Sequence, residues 1–175
     1  MKKIVILGVA YFSICIGAYV FAADVPVVNN TAAPPAPARG PSLDLAIEAA
    51  QAAIASCTAQ QQLVGVSVID SAGITKVLLA SDGVTPRGVA SSASKAQTAL
   101  VFQQATSQLS ELVKTDKALA DRISANSNYN IRAGGVLLTA RGEIIGAIGV
   151  GGAHGSEKDE ACALAGIAKV QNRFQ

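Results

Sequence analysis

The sequence predicts an α+β domain in which helices flank an antiparallel sheet, in the order α-β-β-α-α-β-β-α. Three observations carry this. Residues 63–70 and 74–80 are β-rich runs separated only by Ser71-Ala72-Gly73. Residues 135–139 and 144–150 repeat the pattern across Ala140-Arg141-Gly142-Glu143. Turns this short join antiparallel neighbours, because a parallel pair needs a crossover of about a dozen residues or more. Finally, apolar residues at helical spacing stand before, between and after the two hairpins, supplying helices to cover the sheet.

The domain is preceded by two segments of different character. Met1-Lys2-Lys3 is basic, residues 4–20 are apolar, and Val20-Phe21-Ala22 fits a small-x-small cleavage site. Residues 1–22 therefore read as a signal peptide, which predicts a periplasmic or secreted protein. The apolar run is at the short end for a span, so no membrane span is expected in the mature chain. Residues 23–41 hold five of the six prolines and read as a Pro/Ala-rich disordered arm. The domain proper is residues 42–175.

Loss of the signal peptide removes Lys2 and Lys3, so the fourteen basic residues fall to twelve, against twelve acidic ones. A neutral domain has no electrostatic footprint for nucleic acid, and no nucleic-acid partner is expected. Only Phe102, Tyr129 and Phe174 remain as aromatics, so the core must be built from Ala, Val, Leu and Ile. Cys57 and Cys162 would lie in an oxidising compartment. A disulfide and two separately buried thiols are both open readings. Two cysteines and one histidine are too few for a structural zinc site.

Ser42, after Pro41, is a good N-cap for a first helix running to about residue 59. Leu43, Ala46, Ile47, Ala50, Ile54 and Cys57 share its inward face. Both faces of the hairpin that follows are largely apolar, so the sheet should be covered on each side. Ser81-Asp82-Gly83 turns the chain, and Pro86 suits the first turn of a helix over residues 87–108. On it Val89, Ala93, Ala96 and Leu100 line one face, and Lys95, Ala99, Phe102 and Thr106 another. A shorter helix starts at Thr115, and residues 124–132 form a polar loop into the second hairpin. The last helix, from Ser156 to about residue 171, should turn Ala161, Leu164, Ala165 and Ala168 to the core, with Cys162 flanking them. Glu157, Asp159 and Glu160 suit its positive end.

The stretch that draws functional interest is Gly149-Val150-Gly151-Gly152-Ala153-His154-Gly155, which holds four glycines and the only histidine. A phosphate loop would need Lys-Ser/Thr straight after the last glycine, and Ser156-Glu157 stands there instead. A dinucleotide fold would need a βαβ unit where this chain has a hairpin. A catalytic triad would have to use His154, with nothing marking its partners, and the Ser92…Lys95 spacing is common on helices. No catalytic residue is assigned. Haem iron takes His, Met, Cys or Tyr. The mature chain offers His154, Tyr129, Cys57 and Cys162. His154, in a flexible glycine loop where backbone can approach a flat ligand, is either that ligand or a solvent-exposed loop residue.

Three stretches resemble the GlcG/HbpS-like haem-binding family, which also includes the C-terminal part of some corrinoid adenosyltransferase proteins. They are ASSASKAQTA at 90–99, GGVLL at 134–138 and GAIGVGGAHGSEKDEACALA at 146–165. The resemblance covers residues 42–172. It implies a profilin-like antiparallel sheet flanked by helices, a homo-oligomer, and haem or a related tetrapyrrole as cofactor. It departs at Leu137, where proline is usual, at Gly151, where serine is usual, and at His154, where proline or a small residue is common. The first helix has no histidine, so ligation from that helix cannot be carried over. If haem binds, His154 is the best available metal ligand by scarcity of alternatives, helped by Lys95 or Arg132 pairing with propionates. Thr98 and the backbone at Gly134, Gly135, Gly151 and Gly152 complete the expected site. The expected function is a secreted haem- or tetrapyrrole-binding oligomer. The alternative is a protein-interaction or scaffold module of the same fold with no small ligand.

Overall fold

The computed structural model describes residues 37–174. The predicted signal peptide and the arm as far as residue 36 lie outside the described residues. The elements are α1 (Leu43–Thr58), β1 (Gly65–Asp70), β2 (Thr75–Ala80), α2 (Pro86–Phe102), α3 (Thr106–Leu112), α4 (Lys117–Ser124), β3 (Gly135–Ala140), β4 (Glu143–Gly151) and α5 (Ser156–Val170). The strands form one antiparallel sheet in the order β2-β1-β4-β3. The two hairpins lie side by side, with β1 and β4 at the centre.

The order of elements is the one the sequence predicts, with one helix divided. The helix expected over residues 87–108 stops at Phe102, because Gln103 turns left-handed (φ 50°). The Gln103 and Gln104 N–H groups then donate back to the Leu100 and Ala99 carbonyls, closing the helix end. Thr106 gives the reason for the break. Its hydroxyl donates to the Arg132 carbonyl and accepts from the Gly135 N–H, drawing the start of α3 onto the start of β3. Residues 37–41, assigned by composition to the arm, lie against the β1–β2 turn. There the Arg39 N–H donates to Ser71 Oγ, and the Ser71 N–H to the Arg39 carbonyl.

α1 and α5 pack together on one face of the sheet. Val64, Val66, Val68, Leu138, Ile148 and Val150 meet Ala46, Ala49, Ala50 and Ala53 there, all at most 1% exposed. The cysteine question is resolved on this face. Cys57 and Cys162 form a disulfide between α1 and α5, with Cα atoms 5.6 Å apart. Closing a loop of this length removes about 4.7 kcal/mol of denatured-state chain entropy. The stripe predicted for the last helix is corrected. α5 buries Asp159, Cys162, Ala163, Gly166 and Val170, and leaves Ala161, Ala168 and Leu164 (51% exposed) outside. Alanines recur all round this helix, so periodicity did not fix its rotation. The disulfide does, together with Gly166, where a Cβ would meet the Ala49 carbonyl oxygen at 2.5 Å. Leu43 is likewise exposed instead of inward.

α2 covers the other face. It lies at backbone contact with the sheet, because Cβ atoms at Gly135 and Gly149 would run into the Lys95 and Ser92 carbonyls. Gly149 and Gly151 are thus strand residues that admit a helix, and only residues 152–155 remain as loop.

Candidate functional site

The close seating of α2 lets the Lys95 side chain reach the end of β4. Its Nζ donates to the Val150 carbonyl at 3.0 Å and to Asp159 Oδ2 at 2.6 Å. The side chains of Lys95 and Asp159 are 2% and 4% exposed. Burial pushes the Lys95 ammonium below its ordinary value of 10.5. The hydrogen bond and charge of Asp159 pull the other way, and the nearby Arg132 charge adds to the depression. Asp159 has a second task. Its Oδ1 accepts from the Ala153 N–H at 3.0 Å. The next N–H, of His154, donates to Gln62 Oε1 at 2.8 Å. The glycine loop expected to be flexible is therefore pinned at two consecutive amides.

Above this pair opens a cleft of about 560 Å³. One wall is α2, whose Arg87, Gly88, Ser91, Ser94 and Lys95 fall on a single face at helical spacing. Thr85 caps that helix, its Oγ1 accepting from the Gly88 N–H at 3.1 Å. Asn130 and Arg132 contribute from the loop before β3. Gly152, Ala153, His154 and Ser156 contribute from the β4–α5 connection. The walls are thus hydroxyls, guanidiniums and small apolar residues, with one exposed imidazole.

The structure brings Lys95, Arg132, Gly152 and His154 into this one cleft and puts the other expected site residues elsewhere. Thr98 is buried beside it. Its hydroxyl donates to the Ser94 carbonyl and accepts from the Asn130 N–H at 2.8 Å, which moors the 130–132 loop to α2. Gly134 is wedged where a Cβ would meet Asp159 Cβ at 2.8 Å and Lys95 Nζ at 3.0 Å. Gly135 and Gly151 press against α2 backbone. Lys95 itself has its charge committed to Asp159, which leaves Arg87 and Arg132 as the exposed cationic side chains of the cleft. Tyr129 stacks edge-on against Phe102 at 5.0 Å, and both cysteines are in the disulfide, which leaves His154 as the imidazole facing the cleft. Sequence reasoning missed Arg87, Asn130, Asp159 and Gln62. Arg87 was legible, since it stands four, seven and eight residues before Ser91, Ser94 and Lys95. Gln62 carried no signal, because its partner lies 92 residues away.

Comparison with known proteins gives a consistent set. A family model described as "Haem degrading protein HbpS-like" matches residues 42–168. The crystal structure of a double mutant of Streptomyces reticuli HbpS superposes with a TM-score of 0.67 at 34% identity, covering 78% of this chain and 97% of that one. The crystal structure of a PduOC:heme complex superposes with a TM-score of 0.68 at 26% identity, covering 74% of this chain and 94% of that one. Klebsiella pneumoniae protein ORFY shares the fold, with a TM-score of 0.70 at 24% identity over 77% of this chain and 92% of its own. Among curated proteins none matches.

Proposed function

This chain belongs to the HbpS-like family, and on that premise we propose that its domain binds haem or a related tetrapyrrole in the cleft beside His154. The observation that carries the reading is the placing of the chain's single imidazole. It lines a cleft of ligand size, on a loop held by Asp159 and Gln62. The residues there fit such a group. His154 is a suitable iron ligand, and Arg87 and Arg132 suit carboxylate side arms. Ala90 and Ala153 present only methyl groups to the cleft, while Gly88 and Gly152 are packed against the protein itself. Haem would supply a redox-active iron, while the chain's own residues bind and orient it.

The proposal extends to export and self-assembly. Residues 1–22 have the composition of a signal peptide, and a disulfide is at home in an oxidising compartment. Leu63, Ile74 and Leu78 expose apolar side chains on and beside the edge strand β2, which suits a contact with further copies. The same exposed side chains are what the alternative reading, a protein-interaction module with no small ligand, would use.

The test is a haemin titration of residues 23–175, followed by visible spectrum, beside His154→Ala. A saturable, shifted Soret band that is lost in the variant is the expected result. A saturable band unchanged by the substitution would remove His154 as the ligand. Unsaturable colour alone would put the interaction module first.

A further inference from the structure

We infer that the cleft is a receptor for a ligand bearing two carboxylates, held by Arg87 and Arg132, and that it selects for those carboxylates whether or not iron is present. The inference rests on the haem reading only for one of the two sources of such a ligand. The carboxylates are either the propionates of a porphyrin or the ends of a small dicarboxylic acid.

The charge balance of the cleft carries it. Arg87 and Arg132 enter from two separate segments, the start of α2 and the loop before β3. Neither guanidinium has a hydrogen-bond or ion-pair partner among the described residues, whereas Arg39 and Arg173 are each paired with a glutamate. The one carboxylate lining the cleft is Asp159, and both its oxygens are in use, one by Lys95 and the other by the Ala153 N–H. It neutralises Lys95 and nothing more. Two positive charges are left facing a pocket with no internal counterion. The start of α2 adds to them, since its first turn holds no acidic residue to offset the positive helix end.

Guanidinium forks match carboxylates bidentately, and two forks from separate segments match two carboxylates on one ligand. Ser94 and Ser156 bring side-chain hydroxyls to the same walls.

The experiment titrates residues 23–175 with haemin, metal-free protoporphyrin IX, protoporphyrin IX dimethyl ester and succinate, by calorimetry and by porphyrin fluorescence. Arg87→Gln and Arg132→Gln are run beside the parent chain. Both positions are exposed, so neither substitution threatens folding. Protoporphyrin IX should bind saturably, though more weakly than haemin because it has no iron for His154 to hold. The dimethyl ester and each arginine variant should bind at least about tenfold more weakly. An ester that binds as well as the free acid, with unchanged arginine variants, overturns the inference and leaves the haem reading standing. Succinate binding that needs both arginines, with no porphyrin bound, supports the inference and ends the haem reading. Failure of all four probes overturns both.

Discussion

Against one face of the sheet α1 and α5 lay alanines, valines and a disulfide, while against the other α2 brings Ser92, Lys95 and Thr98, all buried. The smaller apolar cluster on the α2 side is Ile69, Ala96, Ala99 and Ala147. The faces also differ in how they achieve contact. On the α1/α5 face branched side chains fill the space. On the α2 face Gly135, Gly149 and Gly151 remove side chains so that backbone meets backbone. That second arrangement gives up apolar area. In exchange it brings Lys95 close enough to join α2, β4 and α5 at one buried point. The difference puts the apolar core and the disulfide on one face and the polar cleft on the other.

The largest expected effect tests whether these roles separate. Cys162→Ser, or full reduction, should cost about 5 kcal/mol, read from the urea midpoint. Below that midpoint, haemin affinity of the reduced protein should be unchanged. If affinity falls along with stability, the disulfide face also shapes the cleft. The next effect lies on the polar face. Asp159→Ala leaves Lys95 buried and unpaired, which should cost about 3–5 kcal/mol. It also frees the Ala153 amide, so hydrogen exchange there should accelerate. Replacing both partners, Lys95→Met with Asp159→Leu, should recover most of the stability while the Ala153 amide still exchanges fast. A double variant as unstable as the single one would mean that the pair matters for more than mutual neutralisation.

A smaller effect probes the glycine contacts. Gly149→Ala drives a methyl into the Ser92 carbonyl, and overpacking of this kind costs about 1–3 kcal/mol. Because α2 carries the cleft wall, ligand affinity should fall as well, as calorimetry would reveal. Loss of stability with intact affinity would show that α2 moves as a rigid body without disturbing Arg87 and Lys95.

How much of this was legible in the sequence follows the same division. Hairpins, caps and apolar periodicity are local signals, and they gave the order of elements and the family resemblance. Ser42, Thr85 and Pro86 stand where helix starts require them. The rotation of α5 was not legible, since alanine marks no face and the deciding contacts lie about a hundred residues away at Cys57 and Ala49. The cleft was half legible. His154 stood out by scarcity and Lys95 by motif, but the ammonium's partner, Asp159, read as a helix-end charge. The glycines read as ligand-facing because a glycine run signals close approach without saying what approaches. For all four named glycines it is the protein itself, the Leu63 carbonyl in the case of Gly152, although Gly152 also lines the cleft.

The smallest signal is a slope of stability against pH, and it bears on the nature of the buried pair. Lys95 is depressed below 10.5 chiefly because burial strips water from its ammonium, with Asp159 and Glu160 offsetting this in part and Arg132 adding to it. Between that lowered value and 10.5 the folded chain has released a proton that the unfolded chain still holds. The unfolded state then binds more protons, so stability rises with pH across this window. Lys95→Met removes the group, and subtracting its urea-unfolding profile from that of the parent isolates the slope. The α1/α5 face has no titratable group in its core and should contribute nothing to the difference. A lysine held mainly by its carboxylate would have a raised value, and its contribution would be lost as pH rises. A falling difference curve would therefore mean that pairing, not burial, dominates at Lys95, and the polar face would have to be counted as a source of stability in its own right.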